Sequence, residues 1–244
     1  MPGIDGYEVC RQLKADPDTK EIPIIFITAK SSDEDVSTGL QMGAHYFLAK
    51  PVAPATLVVV VAAVLEERKT YHWLQKEARK THDSLRLLHK GTFHFRTLND
   101  AQELAVFASQ ASRNPETCVI GLQEIMVNAV EHGNLGLDYK RKSELVTQNQ
   151  WEAEIQHRLS LPEYSNRYAT LTIQQDEEQI TYHVIDQGAG FDWRPFMDFS
   201  TERAFDCHGR GIAMANMLGF DRLEYQGNGN EVLAVVQHAT NEEG

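Results

Sequence analysis

Residues 121–134 read GLQEIMVNAVEHGN, and two glycine-containing clusters follow, DQGAGF at 186–191 and HGRGIAM at 208–214. On a helix, Glu124 and Asn128 are one turn apart and share a face. The opposite side of the same helix is apolar, with Val119, Leu122, Met126, Ala129 and Val130. The spacing therefore predicts an amphipathic helix whose apolar stripe packs on a sheet.

The polar face of this helix carries oxygen donors. One carboxylate, Glu124, and one amide, Asn128, suit a hard Mg²⁺ ion, which takes oxygen ligands and keeps several waters. Glu131 and His132 follow one turn further along. For this segment alone, an ordinary solvated helix face is an equal alternative, because such residues are common on surfaces. The two glycine clusters that follow argue against that alternative.

The second cluster comes at the end of an alternating segment, residues 179–185, which is typical of a strand. Asp186, followed by Gly188 and Gly190, predicts a tight turn with room for a flat ligand to approach the backbone. A plain Asp-X-Gly turn is the alternative for this cluster alone.

The third cluster places Gly209 and Gly211 just before a predicted helix at residues 212–218. Backbone N–H groups at a helix start bind anions, and glycines let phosphates come close. Arg210 can add charge-assisted hydrogen bonds to phosphates. The cluster is not a Walker A loop, because the Lys-Ser/Thr ending of that motif is absent.

In this order, the three clusters resemble the N box and two glycine boxes of the ATP-binding fold shared by histidine kinases, gyrase-type ATPases, Hsp90 and the anti-sigma-factor serine/threonine kinases. The His-Gly pair that ends the first cluster is most similar to the last group. The resemblance covers residues 92–238 and implies an α/β sandwich that binds Mg-ATP. It implies a lid at residues 193–207.

The resemblance also assigns roles to single residues. It implies that Glu124 is the catalytic base toward an acceptor hydroxyl, that Asn128 holds Mg²⁺ and that Asp186 accepts a hydrogen bond from the adenine amino group. The implied nucleotide-binding set is Asn128, His132, Asp186, Gly188, Gly190, Gly209, Arg210 and Gly211.

The first fifty residues resemble the second half of a response-regulator receiver domain, through MPGIDGYE at 1–8, ITAK at 27–30 and AKP at 49–51. The α/β pattern there predicts a helix to Ala15, strands Ile22–Ile27 and Tyr46–Leu48, and between them a helix around Glu34–Met42.

In receiver domains the phosphoacceptor aspartate comes just before the Met-Pro turn, so we expect that aspartate and the acidic metal pair to be missing here. Thr28 would sense the phosphate and Lys50 would contact it, and we expect both to be remnants without phosphate chemistry. The resemblance also implies a cis peptide at Pro51, an isomer that is specific to proline.

These readings divide the chain into a partial receiver at 1–53, a helix at 54–91 that continues as a linker, and a kinase-like ATP-binding domain at 92–244. No proline or glycine interrupts residues 55–90, which predicts one long helix whose apolar run at 58–65 is buried. We expect a homodimer, because a receiver sheet without its first strands exposes edges and apolar faces.

Length and charge are consistent with a cytoplasmic regulator. The chain has 244 residues and a net charge of −12, which argues against a direct nucleic-acid partner and favours a protein with some basic surface. No apolar run reaches the length of a membrane span. The three cysteines have no metal or redox spacing.

Three functions are therefore in contention. The favoured one is an anti-sigma-factor-kinase-like enzyme, which transfers the ATP γ-phosphoryl group to a Ser or Thr of an antagonist protein and can sequester a sigma factor. The second is histidine-kinase-type transfer that uses His82 or a histidine on a partner. The third is a nucleotide-gated binding module with negligible turnover.

One segment is longer than in small anti-sigma kinases. Residues 137–168 are polar and charged, with Trp151, Ile155 and Leu159 at helical spacing. Partner docking and simple packing are equally compatible with this pattern.

Overall fold

The computed structural model describes residues 5–20, 22–28, 44, 46–78, 85, 87–197 and 211–238. They belong to two compact units, one that ends at Thr70 and one that contains residues 71–197 and 211 onward. The predicted α/β class is confirmed. The helix predicted around 34–42, His82, Gly209 and Arg210 all lie outside the described residues.

The first unit contains a helix and a pair of parallel strands. Helix α1, Gly6–Ala15, begins where the Asp5 carboxylate accepts the Glu8 N–H at 2.9 Å. Strands β1, Ile25–Thr28, and β2, Tyr46–Ala49, pair in parallel, with Ile25 opposite Tyr46. The strand predicted from Ile22 begins three residues later, because the Ile22 N–H donates to Thr19 in a turn and Pro23 has no N–H.

The predicted cis peptide between Lys50 and Pro51 is present. Helix α2 follows as Pro54–Ala78. The prediction that the apolar run at 58–65 is buried is correct for Val60 and Val64, which are 2% and 4% exposed. It is wrong for Val58 and Leu65, which are 68% and 49% exposed.

The prediction of one helix as far as Lys90 is wrong at its C-terminal end. Leu88 N–H donates to Leu85 O, a contact of a tight turn, and Lys90 already lies in a strand opposite Gln174. Pairing with a sheet therefore prevails there over the helix propensity of the lysine- and leucine-rich sequence.

The second unit is a five-stranded antiparallel sheet with helices. Its strands are β3 Lys90–Phe95, β4 Ala169–Gln175, β5 Gln179–Ile185, β6 Arg222–Gln226 and β7 Glu231–Gln237, in the spatial order β3-β4-β5-β7-β6. Its helices are α3 Leu98–Ser109, α4 Pro115–Asn128, α5 Tyr139–Thr147, α6 Trp151–Ser160 and α7 Gly211–Met214. Two π-helical turns, Ala129–Asn134 and Ala215–Gly219, directly follow α4 and α7.

One face of this sheet is covered by helices. Strand β4 buries Ala169, Leu171 and Ile173, while the alternate residues are partly exposed, as the two-residue period requires. Tyr182 of β5 is buried, and its hydroxyl donates to Ala108 O of α3 at 3.2 Å. The apolar stripe predicted for the N-box helix is buried in the same core.

Candidate functional site

Helix α4 presents the predicted polar face. Glu124 and Asn128 are partly exposed, whereas Gln123, Ile125 and Met126 beside them are buried. Pro115 occupies the first position of the helix, where its missing N–H has no cost. The shared face of Glu124 and Asn128, predicted from their spacing, is therefore present.

The end of this helix lies against the loop after β5. The π-helical turn places Gly133 against the Asp186 carboxylate. A Cβ atom on Gly133 would overlap this carboxylate. A Cβ on Gly188 would overlap the carbonyl of Gly133. These two contacts between distant parts of the chain are possible because neither residue has a side chain.

Asp186 is held by its own loop and by the β6–β7 turn. Its Oδ1 accepts the Gly188 N–H at 2.7 Å, and its backbone N–H donates to Asn230 O at 3.0 Å. Burial raises the pKa of this carboxyl from 3.8 to about 6, which the Gly188 hydrogen bond partly opposes. A carboxylate whose charge is disfavoured in this way gains from a ligand that donates a hydrogen bond.

Two asparagines that sequence reasoning gave no role fix the same loop. Asn134 Oδ1 accepts the Gln187 N–H at 2.9 Å, and Asn230 Nδ2 donates to Asp186 O at 3.3 Å. Gly190 has a φ of 79°, and the next N–H, of Phe191, donates to Asn228 O at 2.8 Å. Asn134 is the last residue of the first cluster in the sequence, directly after Gly133. This position is the sequence signal that could have indicated its role in the site.

Tyr225 of β6 is buried near the polar groups of the site, and its hydroxyl has no hydrogen-bond partner among the described residues. Burial raises the pKa of its hydroxyl, the Asn128 side chain lowers it, and the negative charges of Asp186 and Glu124 raise it further. Its ring stacks on Trp193 at 5.9 Å between centroids. Residues of the N box, the first glycine box and the start of the predicted lid therefore surround one tyrosine, which no sequence pattern pointed to.

The third cluster reaches the site through Gly211. A Cβ on Gly211, the first residue of α7, would overlap Glu124 Oε2. The helix predicted for 212–218 is an α-helical turn, Gly211–Met214, followed by a π-helical turn. Glu124, Asn128, Asp186 and Gly211 are thus brought together.

Glu131 departs from the expectation that it shares the polar face. It is 0% exposed, and Lys142 Nζ of α5 lies 2.5 Å from its Oε2. The reason is the π-helical turn, which starts at Ala129 and changes the direction of the residues after it. Its Oε1 has no hydrogen-bond partner among the described residues.

His132 has backbone and charged neighbours. Its Nδ1 is hydrogen-bonded to the carbonyl oxygen of Leu137, and its Nε2 lies 4.0 Å from Glu131 Oε2. Burial and the Lys142 charge lower the pKa of the imidazole, which favours its neutral form. Its predicted contact with nucleotide stays a prediction.

The segment after the N box folds as α5 and α6 and packs on the second unit. Ile155 is buried, and Leu159 and Trp151 pack against the core. Arg158 donates to the carbonyls of Leu135 and Gly136 at 2.8 and 3.1 Å. The apolar residues at helical spacing in this segment therefore pack against the core.

The sequence of this chain matches two protein-family models. Residues 97–236 match the family model described as histidine kinase-like ATPase domain, and residues 1–62 match the response regulator receiver domain. The chain belongs to the histidine kinase-like ATPase domain family. It carries a receiver match before that domain, as the sequence motifs predicted.

Three individual relatives each match about a quarter of this chain. The response regulator PleD of Caulobacter vibrioides is 45% identical over 64 residues, 26% of this chain and 14% of PleD. The transcriptional regulatory protein AfsQ1 of Streptomyces coelicolor is 45% identical over 65 residues, 27% of this chain and 28% of that protein. Protein PilH of Pseudomonas aeruginosa is 42% identical over 65 residues, 27% of this chain and 54% of PilH. The chain thus spans about a seventh of the length of PleD and about half that of PilH.

The site of this histidine kinase-like ATPase domain suits Mg-ATP. Asp186 offers a half-buried acceptor at a strand end, and Asn128 offers an amide oxygen to a hard cation. The described residues contain no group of three or more His, Cys, Asp or Glu side chains that could hold a metal ion. A Mg²⁺ ion that keeps waters and phosphate oxygens as its other ligands does not need such a group.

In the first unit, the predicted receiver remnants lie at the carboxyl ends of the two strands. Thr28 ends β1, and the Lys50 N–H, just after β2, donates to Thr28 O at 2.8 Å. Within the described residues, no helix combines the length and apolarity needed to cross a membrane.

Replacing Asp186 by Asn is expected to stabilise the ligand-free second unit above pH 6. The folded carboxyl has a raised pKa, so the folded state binds more protons than the unfolded state between pH 4 and 6. The free energy of unfolding of the wild type therefore falls by up to about 3 kcal/mol as the pH rises through this window. Urea titrations at pH 4, 5, 6 and 8 measure this free energy. It should fall less with rising pH in Asp186→Asn than in the wild type, and an equal fall in both proteins would contradict the raised pKa.

Proposed function

We propose that this chain is a signalling regulator that binds Mg-ATP and phosphorylates a Ser or Thr of a partner protein. The observation that supports it is the convergence of Glu124, Asn128, Asp186 and Gly211, from three separate sequence clusters, at one face of the second unit. A receiver match before the ATPase domain is in keeping with a role in signal transduction.

Each of these residues has a role in the proposed reaction. Asp186 binds the adenine amino group, and Gly188, Gly190 and Gly211 shape the loops around it, because each packs so closely on other protein atoms that a side chain would not fit. Asn128 holds Mg²⁺, which neutralises charge on the phosphates when it is bound. These assignments follow the family resemblance.

Glu124 is the proposed general base. It accepts the proton of the acceptor hydroxyl while the oxygen of that hydroxyl forms a bond to the γ-phosphorus and the bond from that phosphorus to the bridging oxygen of ADP breaks. Glu124 is partly exposed on the helix face that also carries Asn128. Positioning and charge stabilisation supply most of the catalysis in reactions of this class.

The partner is proposed to carry basic surface. The chain has 35 acidic against 23 basic residues, and a field of this sign attracts a cationic protein and repels nucleic acid. An antagonist of an anti-sigma factor, or a sigma factor, is the kind of partner implied by the resemblance to anti-sigma-factor kinases.

The experiment that tests this proposal follows the fate of the γ-phosphoryl group. The protein and its Glu124→Gln variant are each incubated with γ-labelled ATP, Mg²⁺ and lysate proteins of the source organism. Transfer to Ser or Thr predicts a labelled partner that survives acid, in the wild type only. Acid-labile label indicates histidine-type transfer, and saturable nucleotide binding without label indicates a binding module, so either result contradicts the proposal.

A further inference from the structure

The last two turns of helix α2 belong to the second unit. Its residues from Tyr71 onward fall within that unit, where Leu74 and Ala78 are 0% and 1% exposed and are part of its core. The side-chain amide of Gln110, which directly follows α3, donates to the carbonyl of Ala78. This part of α2 is therefore packed as an element of the ATPase fold, although the family match begins only at residue 97.

This packing places a tyrosine on the proposed catalytic base. The Tyr71 hydroxyl lies 2.6 Å from Glu124 Oε1 and donates a hydrogen bond to it. The other carboxylate oxygen, Oε2, faces the α-carbon of Gly211. The hydroxyl of Tyr71 and the main chain of the second glycine box thus approach the two oxygens of one carboxylate.

The 2.6 Å between the Tyr71 hydroxyl and Glu124 Oε1 is a distance at which a general base takes a proton from its substrate. A general base must come within about 2.6–3.2 Å of the group whose proton it takes. Tyr71 presents a hydroxyl to Glu124 at this distance, as an acceptor serine or threonine would. A phenol is a hydroxyl of the same donor type, held in place by its own helix instead of by binding from solution.

We propose that Tyr71 is an internal competitor for the acceptor hydroxyl, which occupies Glu124 until the Tyr71–Glu124 hydrogen bond opens. This inference rests on the proposed function, because it requires Glu124 to act as the base. A hydrogen bond to a charged group contributes about 1.5–3 kcal/mol. By the relation of about 1.4 kcal/mol per factor of ten, the fraction of molecules in which this hydrogen bond is open is then about a tenth or less.

Tyr71 stands on the helix that also carries the end of the receiver match. Residues 54–62 of α2 lie within the receiver match, and Tyr71 comes only nine residues after that match ends.

The test removes only the hydroxyl. Tyr71→Phe should raise the rate of Mg-dependent ATP hydrolysis, in which water is the acceptor, by about tenfold, with nucleotide affinity within a few-fold of wild type. Tyr46→Phe is the matched control, because the Tyr46 hydroxyl also donates to a carboxylate, that of Glu67 at 3.3 Å, and belongs to the first unit. Its rate should equal that of the wild type.

The remaining outcomes separate the two proposals. If Glu124→Gln hydrolyses ATP as fast as the wild type, the proposed function fails. If Glu124→Gln is slow and Tyr71→Phe is unchanged or slower than the wild type, the competitor role is wrong and Tyr71 positions the base. If Tyr71→Phe unfolds at a lower temperature than the wild type, the hydrolysis rate of Tyr71→Met, which also lacks the hydroxyl, is measured in its place. Label on Tyr71 after incubation with γ-labelled ATP would show it to be an acceptor and overturn the inference.

Discussion

Glu124→Gln is expected to slow phosphoryl transfer by about 10²-fold or more, while Mg-nucleotide affinity stays within a few-fold of wild type. The amide keeps the shape of the carboxylate and its contact with Gly211, but it cannot take a proton from the acceptor. The measurement is the initial rate of γ-phosphoryl transfer, or of ATP hydrolysis, at saturating nucleotide. Calorimetric titration with Mg-ADP gives the affinity.

A control on the same helix separates catalysis from folding. Glu116→Gln changes a carboxylate in the first turn of α4, two turns before Glu124, and should leave the rate unchanged. Loss of nucleotide affinity together with rate in Glu124→Gln would indicate a structural role for Glu124. An unchanged rate would remove it from the mechanism.

Lys142→Met is expected to lower the free energy of unfolding by about 3–5 kcal/mol, because it leaves the Glu131 charge without its partner in a fully buried position. The Lys142 side chain is itself only 19% exposed, so water does not readily replace it. Urea denaturation at pH 7 measures the loss. Lys140→Met, at an exposed position in the same helix, should change the value by no more than about 0.5 kcal/mol.

A double variant tests the cause of this loss. Glu131→Met combined with Lys142→Met removes both charges and should recover most of the stability, as buried pairs replaced by apolar groups often do. Equal losses in the single and double variants would mean that Lys142 acts through its contact with the Trp151 ring, 5.8 Å from Nζ, and not through charge.

The sequence predicted those features of the fold and the site for which the spacing of polar and apolar residues along the chain matches the exposed and buried positions. Glu124 and Asn128 share a face because residues four apart on a helix do so in any protein. Asp186 could be placed at a strand end because the alternation of residues 179–185 stops there. The cis peptide before Pro51 followed from the resemblance to receivers.

The rest depended on contacts between distant residues. Nothing in the spacing of Glu131 indicated that a π-helical turn would bury it beside Lys142, eleven residues later. The prediction of a helix as far as Lys90 was wrong because helix propensity continues to that residue, whereas the pairing of Lys90 with Gln174 is a non-local contact. Tyr71 and Tyr225 carry no motif, and only the fold brings them to Glu124 and Asn128.

Calorimetric titration of the wild type and Asp186→Asn with Mg-ADP at pH 8 tests most directly whether the second unit is a nucleotide site built on these boxes. At this pH the Asp186 carboxyl, with a pKa of about 6, is ionised and able to accept a charge-assisted hydrogen bond. We predict saturable binding to the wild type and an affinity about ten- to a hundredfold weaker in Asp186→Asn. No binding to the folded wild type, or equal affinities for both proteins, would contradict the site.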